Sequence, residues 1–114
     1  MKEIKAFIHR QRIGAVIEAI KEAGFAVAGG PSRARNISVA SVQSLLPAID
    51  SREQRYSLDL GEPVIQEYKI EFLCDDADAD ALVDAVAAAG RTGQEEGGWI
   101  YVTDISRAKQ IGPR

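Results

Sequence analysis

Along residues 2–8 apolar Ile4, Ala6 and Ile8 alternate with Glu3, Lys5 and Phe7, a period of two that predicts a strand with one apolar face. From Gln11 the period lengthens. Ile13, Val16, Ile17 and Ile20 recur at helical spacing with Glu18, Lys21 and Glu22 facing away, and Gly24 ends the helix. Residues 25–28 resume an extended apolar pattern, predicted to run on with some irregularity past Gly29, Gly30 and Pro31 toward Val42. The period is then lost over residues 36–62, which hold Pro47, Gly61 and a charged run at 50–55. This predicts a long connecting loop. Residues 64–74 read as a long central strand. Asp75, Asp76, Asp78 and Asp80 precede Leu82, Val83 and Val86, a helix whose acidic residues lie near its positive end and which closes near Gly90. Residues 92–98 form a glycine-bearing loop, and Trp99, Ile100, Tyr101 and Val102 the last strand.

Strand, helix, strand, long loop, strand, helix, strand makes two βαβ halves. The expected architecture is ferredoxin-like α+β, with a four-stranded antiparallel sheet carrying two helices on one face. Phe7, Tyr68, Phe72, Trp99 and Tyr101 are too many to pack beneath two helices, so the open sheet face is expected to be covered by self-association.

Composition narrows the function classes. A chain of 114 residues, 46% hydrophobic and without a linker-like stretch, fits a single domain over 1–114. With 14 basic against 17 acidic residues its net charge is -3, which gives no long-range attraction to a phosphate backbone, so nucleic acid is not expected as a partner. Apolar runs fall well short of the roughly 20 residues of a membrane span. The lone Cys74 has no internal disulfide partner, and the chain opens on strand-like sequence with no apolar signal core, so the expected compartment is cytoplasmic.

Few residues suggest chemistry directly. His9 is the only histidine and has no sequence neighbour that suggests a metal site or a triad; it reads as a solvated strand-end residue. Cys74 reads as a buried small hydrophobe. Glu3, Glu67 and Glu71 alternate as a solvated face would. The aspartate series lacks the glycine and glutamate of a calcium loop, with Ala81 and Ala87 in their places, and fits helix-end electrostatics. Arg33, Arg35, Arg52 and Arg55, at the base of the long loop or inside it, are candidates for an anion such as a nucleotide phosphate or bicarbonate, against the alternative of a solvated loop. Val39, Val42, Leu45, Leu46 and Ile49 add apolar positions at near-helical spacing, suited to docking on a partner or on the body of the protein.

The opening residues 1–8, the segment Lys69, Ile70, Glu71 and Phe72 before an acidic helix start, and Thr92 and Gly93 followed by Gly97, Gly98 and residues 100–105 resemble the PII signal-transduction proteins. That resemblance implies a homotrimer that is not an enzyme. Adenine nucleotide is its effector in clefts between subunits, no cofactor is tightly bound, and the long loop over 36–62 engages a target. It makes Thr92, Gly93, Gln94, Gly97, Gly98 and Trp99 the expected phosphate-cradling loop; read alone, this stretch is a helix-to-strand turn. Several residues depart from the family pattern. Tyr56 is out of register with the family's modified tyrosine, Trp99 stands where a lysine is usual, and Gln110 and Gly112 replace two arginines. Each charge-assisted phosphate contact contributes roughly 1.5–3 kcal/mol, so ADP or AMP is expected over ATP. The run 97–102 is similar to the divergent PII-like proteins associated with bicarbonate uptake and carboxysomes. Bicarbonate is then a second effector, and the target a membrane transporter or a metabolic protein. The rival readings are a nitrogen-regulatory PII acting on ammonium or nitrogen metabolism, a small hydrolase on the same fold, and a structural or metal-tolerance trimer without nucleotide.

Overall fold

The computed structural model describes residues 1–24, 33–45, 53–95 and 97–113. Its elements run β1 (Lys2–His9), α1 (Ile13–Gly24), β2 (Arg35–Ser44), β3 (Arg55–Ser57), β4 (Glu62–Cys74), α2 (Asp76–Gly90) and β5 (Gly98–Asp104). The strands form the path β2-β4-β1-β5, every pairing antiparallel, and this order with two crossover helices is compatible with a ferredoxin-like α+β fold.

The two-residue period decides the core. Ile4, Ala6 and Ile8 of β1 lie opposite Phe72, Ile70 and Tyr68 of β4, which places one set of side chains on one face. On that face Ile4, Ala6, Ile70, Phe72 and Cys74 are buried with Val16 and Ile20 of α1 and Leu82 and Val86 of α2. The helices expected from the 3.6-residue period are therefore both present and pack on the same side. The other face carries Phe7, Trp99 and Tyr101, with Phe7 and Tyr101 edge to face at 5.8 Å. Between them and β2 runs a line of charge in which Lys69 meets Glu71 at 3.1 Å and Lys5 meets it at 3.9 Å. Phe72, expected among the aromatics left over for self-association, belongs instead to the helix-side core.

The connection expected over 36–62 is the main departure. Residues 36–44 of it are strand, continuing the extended run expected toward Val42 and paired along β4, and Arg55–Ser57 is a short fifth strand opposite Val64, Pro63 and Glu62. β3 lies off the four-stranded path and pairs with the first residues of β4. Ser, Ala and Gln suit an exposed edge strand, where hydrogen bonding to β4 rather than apolar alternation makes the element. A bulge between Arg35 and Ser38, with Asn36 at φ 55°, also breaks the period. The strand expected at 25–28 lies outside the described residues, as do Leu46, Ile49 and Arg52.

At the start of α2 the aspartates are engaged in ion pairs. Asp75 meets Arg35 at 2.7 Å, Asp76 meets the Met1 ammonium at 2.6 Å, and Asp78 meets Arg33 at 3.8 Å. Among the described residues no helix is long and apolar enough to cross a membrane.

Candidate functional site

All six residues of the expected phosphate-cradling loop, Thr92, Gly93, Gln94, Gly97, Gly98 and Trp99, line one cleft of about 470 Å³. α2 supplies one wall through Val86, Ala87 and Gly90, and Phe7 and Ile8 at the end of β1 supply another. The loop is shaped by local chemistry. The Thr92 hydroxyl accepts the Gln94 amide at 3.4 Å, Gly93 turns the chain at φ 88°, and Gly98 enters β5 at φ 146°. At Gly98 a Cβ atom would lie 2.2 Å from the Phe7 carbonyl oxygen, so only glycine lets β5 come this close to β1. The charged groups lining the cleft among the described residues are Arg91 and Glu95. Trp99 is 54% exposed and offers a flat aromatic surface there.

The arginine set does not converge. Arg33 and Arg35 pair with Asp78 and Asp75 at the start of α2, whereas Arg55 lies on β3. Arg35 is opposite Leu73 and Arg55 opposite Val64, about 30 Å apart along β4 at roughly 3.3 Å per residue. Among the described arginines, carboxylates hold two, and the length of β4 separates the third from them. Arg35 instead lines a second cavity of about 860 Å³ with Asn36, Leu73 and the C-terminal residues Lys109, Gln110 and Ile111. No apolar period marks the return of this tail toward β2.

Two titratable residues expected at solvated positions, His9 and Glu67, are buried. His9 is 3% exposed, and Glu67, directly opposite it on β4, is 2% exposed. The His9 Nε2 lies 2.8 Å from Glu53 Oε2, the Gln11 side-chain amide donates to Glu53 Oε1 at 3.3 Å, and the Gln11 backbone amide donates to His9 Nδ1 at 3.1 Å. Glu67 Oε1 is buried with no hydrogen-bond partner among the described residues. Only a fold that brings Glu53 back from 44 positions away makes this junction, and strand alternation cannot show it. Cys74 is buried as expected, and burial pushes its thiol up. Among the described residues no group of three His, Cys, Asp or Glu side chains is placed to hold a metal ion.

No family model matches the chain. Over 105 residues, 92% of this chain and 84% of the relative, it is 25% identical to the nitrogen regulatory protein P-II 1 of Methanothermobacter thermautotrophicus. The chain is similar to a PII regulator. The likeness is to a PII nitrogen regulatory protein, and the divergent carboxysome-associated branch draws no support from it. The PII likeness covers most of the chain, including both halves of the sheet and the cleft loop.

Proposed function

We propose that this chain is a PII-like regulator that binds adenine nucleotide in the cleft of residues 91–99. The convergence of the six loop residues, Trp99 among them, on that one cleft carries the reading. Backbone amides of a glycine-bearing loop suit a phosphate, and an exposed indole suits stacking with a flat base. Arg91 is the single cation among the described lining residues and Glu95 opposes it, which favours ADP or AMP over the more highly charged ATP. In this reading the protein is a cytoplasmic homotrimer, with the open sheet faces turned inward and the clefts completed by neighbouring subunits. Bicarbonate is a second effector. The target, a bicarbonate transporter or a metabolic protein, is engaged through residues 36–62, whose described tip presents Tyr56, Leu58 and Leu60 to solvent, Leu58 at 89% exposure.

The name of the archaeal relative supports the alternative of a nitrogen-linked target on the same scaffold. A hydrolase is less well supported, because the one hydroxyl in the cleft loop, on Thr92, accepts a backbone amide and has no imidazole beside it among the described lining residues. Calorimetric titration with AMP, ADP and ATP, each with and without bicarbonate, tests the reading. Binding of ADP or AMP that bicarbonate strengthens is the expected result. Equal affinity for ATP would remove the charge argument, and no binding of any nucleotide would sink the sensor reading.

A further inference from the structure

Arg12 stands at a position that its own helix does not favour. Its carbonyl accepts the Val16 amide at 3.0 Å at the head of α1, and its amide donates to the His9 carbonyl at 2.8 Å. A side chain there ordinarily accepts one of the free amide hydrogens, and the helix dipole favours negative charge at that end. A guanidinium does neither, and the first turn of α1 holds no acidic residue to offset it. The advantage of the charge lies on the other helix. Arg12 Nε donates to the Ala89 carbonyl at 2.9 Å, across 77 positions of sequence.

Ala89 is the penultimate residue of α2, in the turn whose carbonyls lack helical partners and where a cation is favoured. Two usual means of closing that turn are missing. α2 has no basic residue in its last turn, and Arg91 leaves the helix at φ -61° and ψ 134°, extended rather than left-handed. Gly90 between them is close to β1, since an added Cβ would lie 3.3 Å from Ile8 Cδ1. The Arg12 guanidinium thus closes α2 from outside, and a backbone bonded on both sides fixes where it does so. The next residue after α2 is Arg91, the cation among the described residues lining the cleft. A side chain that starts at a helix exit is aimed by the last turn, so a frayed turn leaves its charge without a fixed origin.

We propose that Arg12 is a positioning residue for the cleft, which closes the last turn of α2, fixes the origin of Arg91 and so sets the affinity for a ligand phosphate. Arg12 does not itself line the cleft and need not touch the ligand. The phosphate character of the ligand rests on the nucleotide reading above, whereas the closing of α2 does not.

Calorimetric titration of the full chain with AMP and with adenosine separates aim from packing. Arg12 lies outside the buried core, so its variants keep that core. Arg12→Ala is expected to weaken AMP by about tenfold, much of one charge-assisted contact, and to leave adenosine, which has no phosphate, within about twofold. Equal weakening of both ligands would mean general damage to the cleft and would overturn the proposal. Arg12→Lys keeps a cation at the end of α2 and should bind AMP more tightly than Arg12→Ala; equal weakness would refute the role of the charge. In an Arg91→Ala background, Arg12→Ala should add no further loss, and a second full loss would show that it does not act through Arg91. Without ligand, hydrogen exchange over 88–94 should rise by about threefold or more in Arg12→Ala. Unchanged exchange there would mean that α2 closes without Arg12. If wild-type protein binds neither AMP nor ADP, the nucleotide reading fails, and the exchange measurement alone decides the role of Arg12.

Discussion

A methyl group at residue 98 would stand 2.2 Å from the Phe7 carbonyl oxygen, on backbone whose φ of 146° disfavours any L side chain. Gly98→Ala therefore has to separate β5 from β1 or distort the loop. We expect a loss of about 3 kcal/mol or more, read as a lower denaturant midpoint, with a misshapen cleft. A loss below about 1 kcal/mol would mean that the strands separate freely. Asp76 gives a pH-dependent case. The hydrogen bond from the Met1 ammonium, helped by its charge, holds the Asp76 carboxyl below its ordinary value. A depressed folded value means that the contribution is present above the unfolded value and is lost as pH falls through the folded one. Asp76→Asn should thus be slightly less stable than wild type near neutral pH, and the gap should close in acid; a gap that widened in acid would contradict the pairing. At this scale the sequence was partly legible. Cys74 and the glycines of the cleft loop could be read from their local setting, whereas His9 could not, because its partner Glu53 is 44 positions away.

Where apolar positions recur on a strict period, the element could be read before the fold was known. The β4 strand shows why. Its helix-side residues Ile70, Phe72 and Cys74 are all buried, so alternation is imposed by the core. Phe72→Ala, at 1% exposure, is expected to cost about 3–5 kcal/mol in equilibrium unfolding, and a loss under about 1 kcal/mol would mean that the core refills the cavity. The β2 strand, expected only as an irregular extended run toward Val42, shows the converse. Its residues are mostly exposed, and the bulge at Arg35 to Ser38 shifts its register, so no burial pattern marks it. Three-residue β3 is too short to show any period, and it exists through its hydrogen bonds to β4.

For the whole molecule, the open sheet face combines exposed Trp99 and Tyr101 with the paired charges of Lys5, Lys69 and Glu71. If that face is turned inward in a homotrimer, light scattering should give three times the 12.3 kDa chain mass, and Tyr101→Glu should shift the mass toward one chain. A wild-type mass of one chain would overturn the assembly. The aromatic excess was visible in the sequence, but the charges among it were not, because only pairing across β1 and β4 places Lys5 beside Glu71.

The left-handed Asn36 and the bulge beside it bear on a hazard of any sheet with open sides. Among the described residues β2 ends the strand path, the kind of border on which another chain can add a strand and seed aggregates. An inserted residue twists that border and breaks the even spacing of its donors and acceptors. The irregularity that hid β2 from its own sequence thereby makes it a poor template for fibril growth.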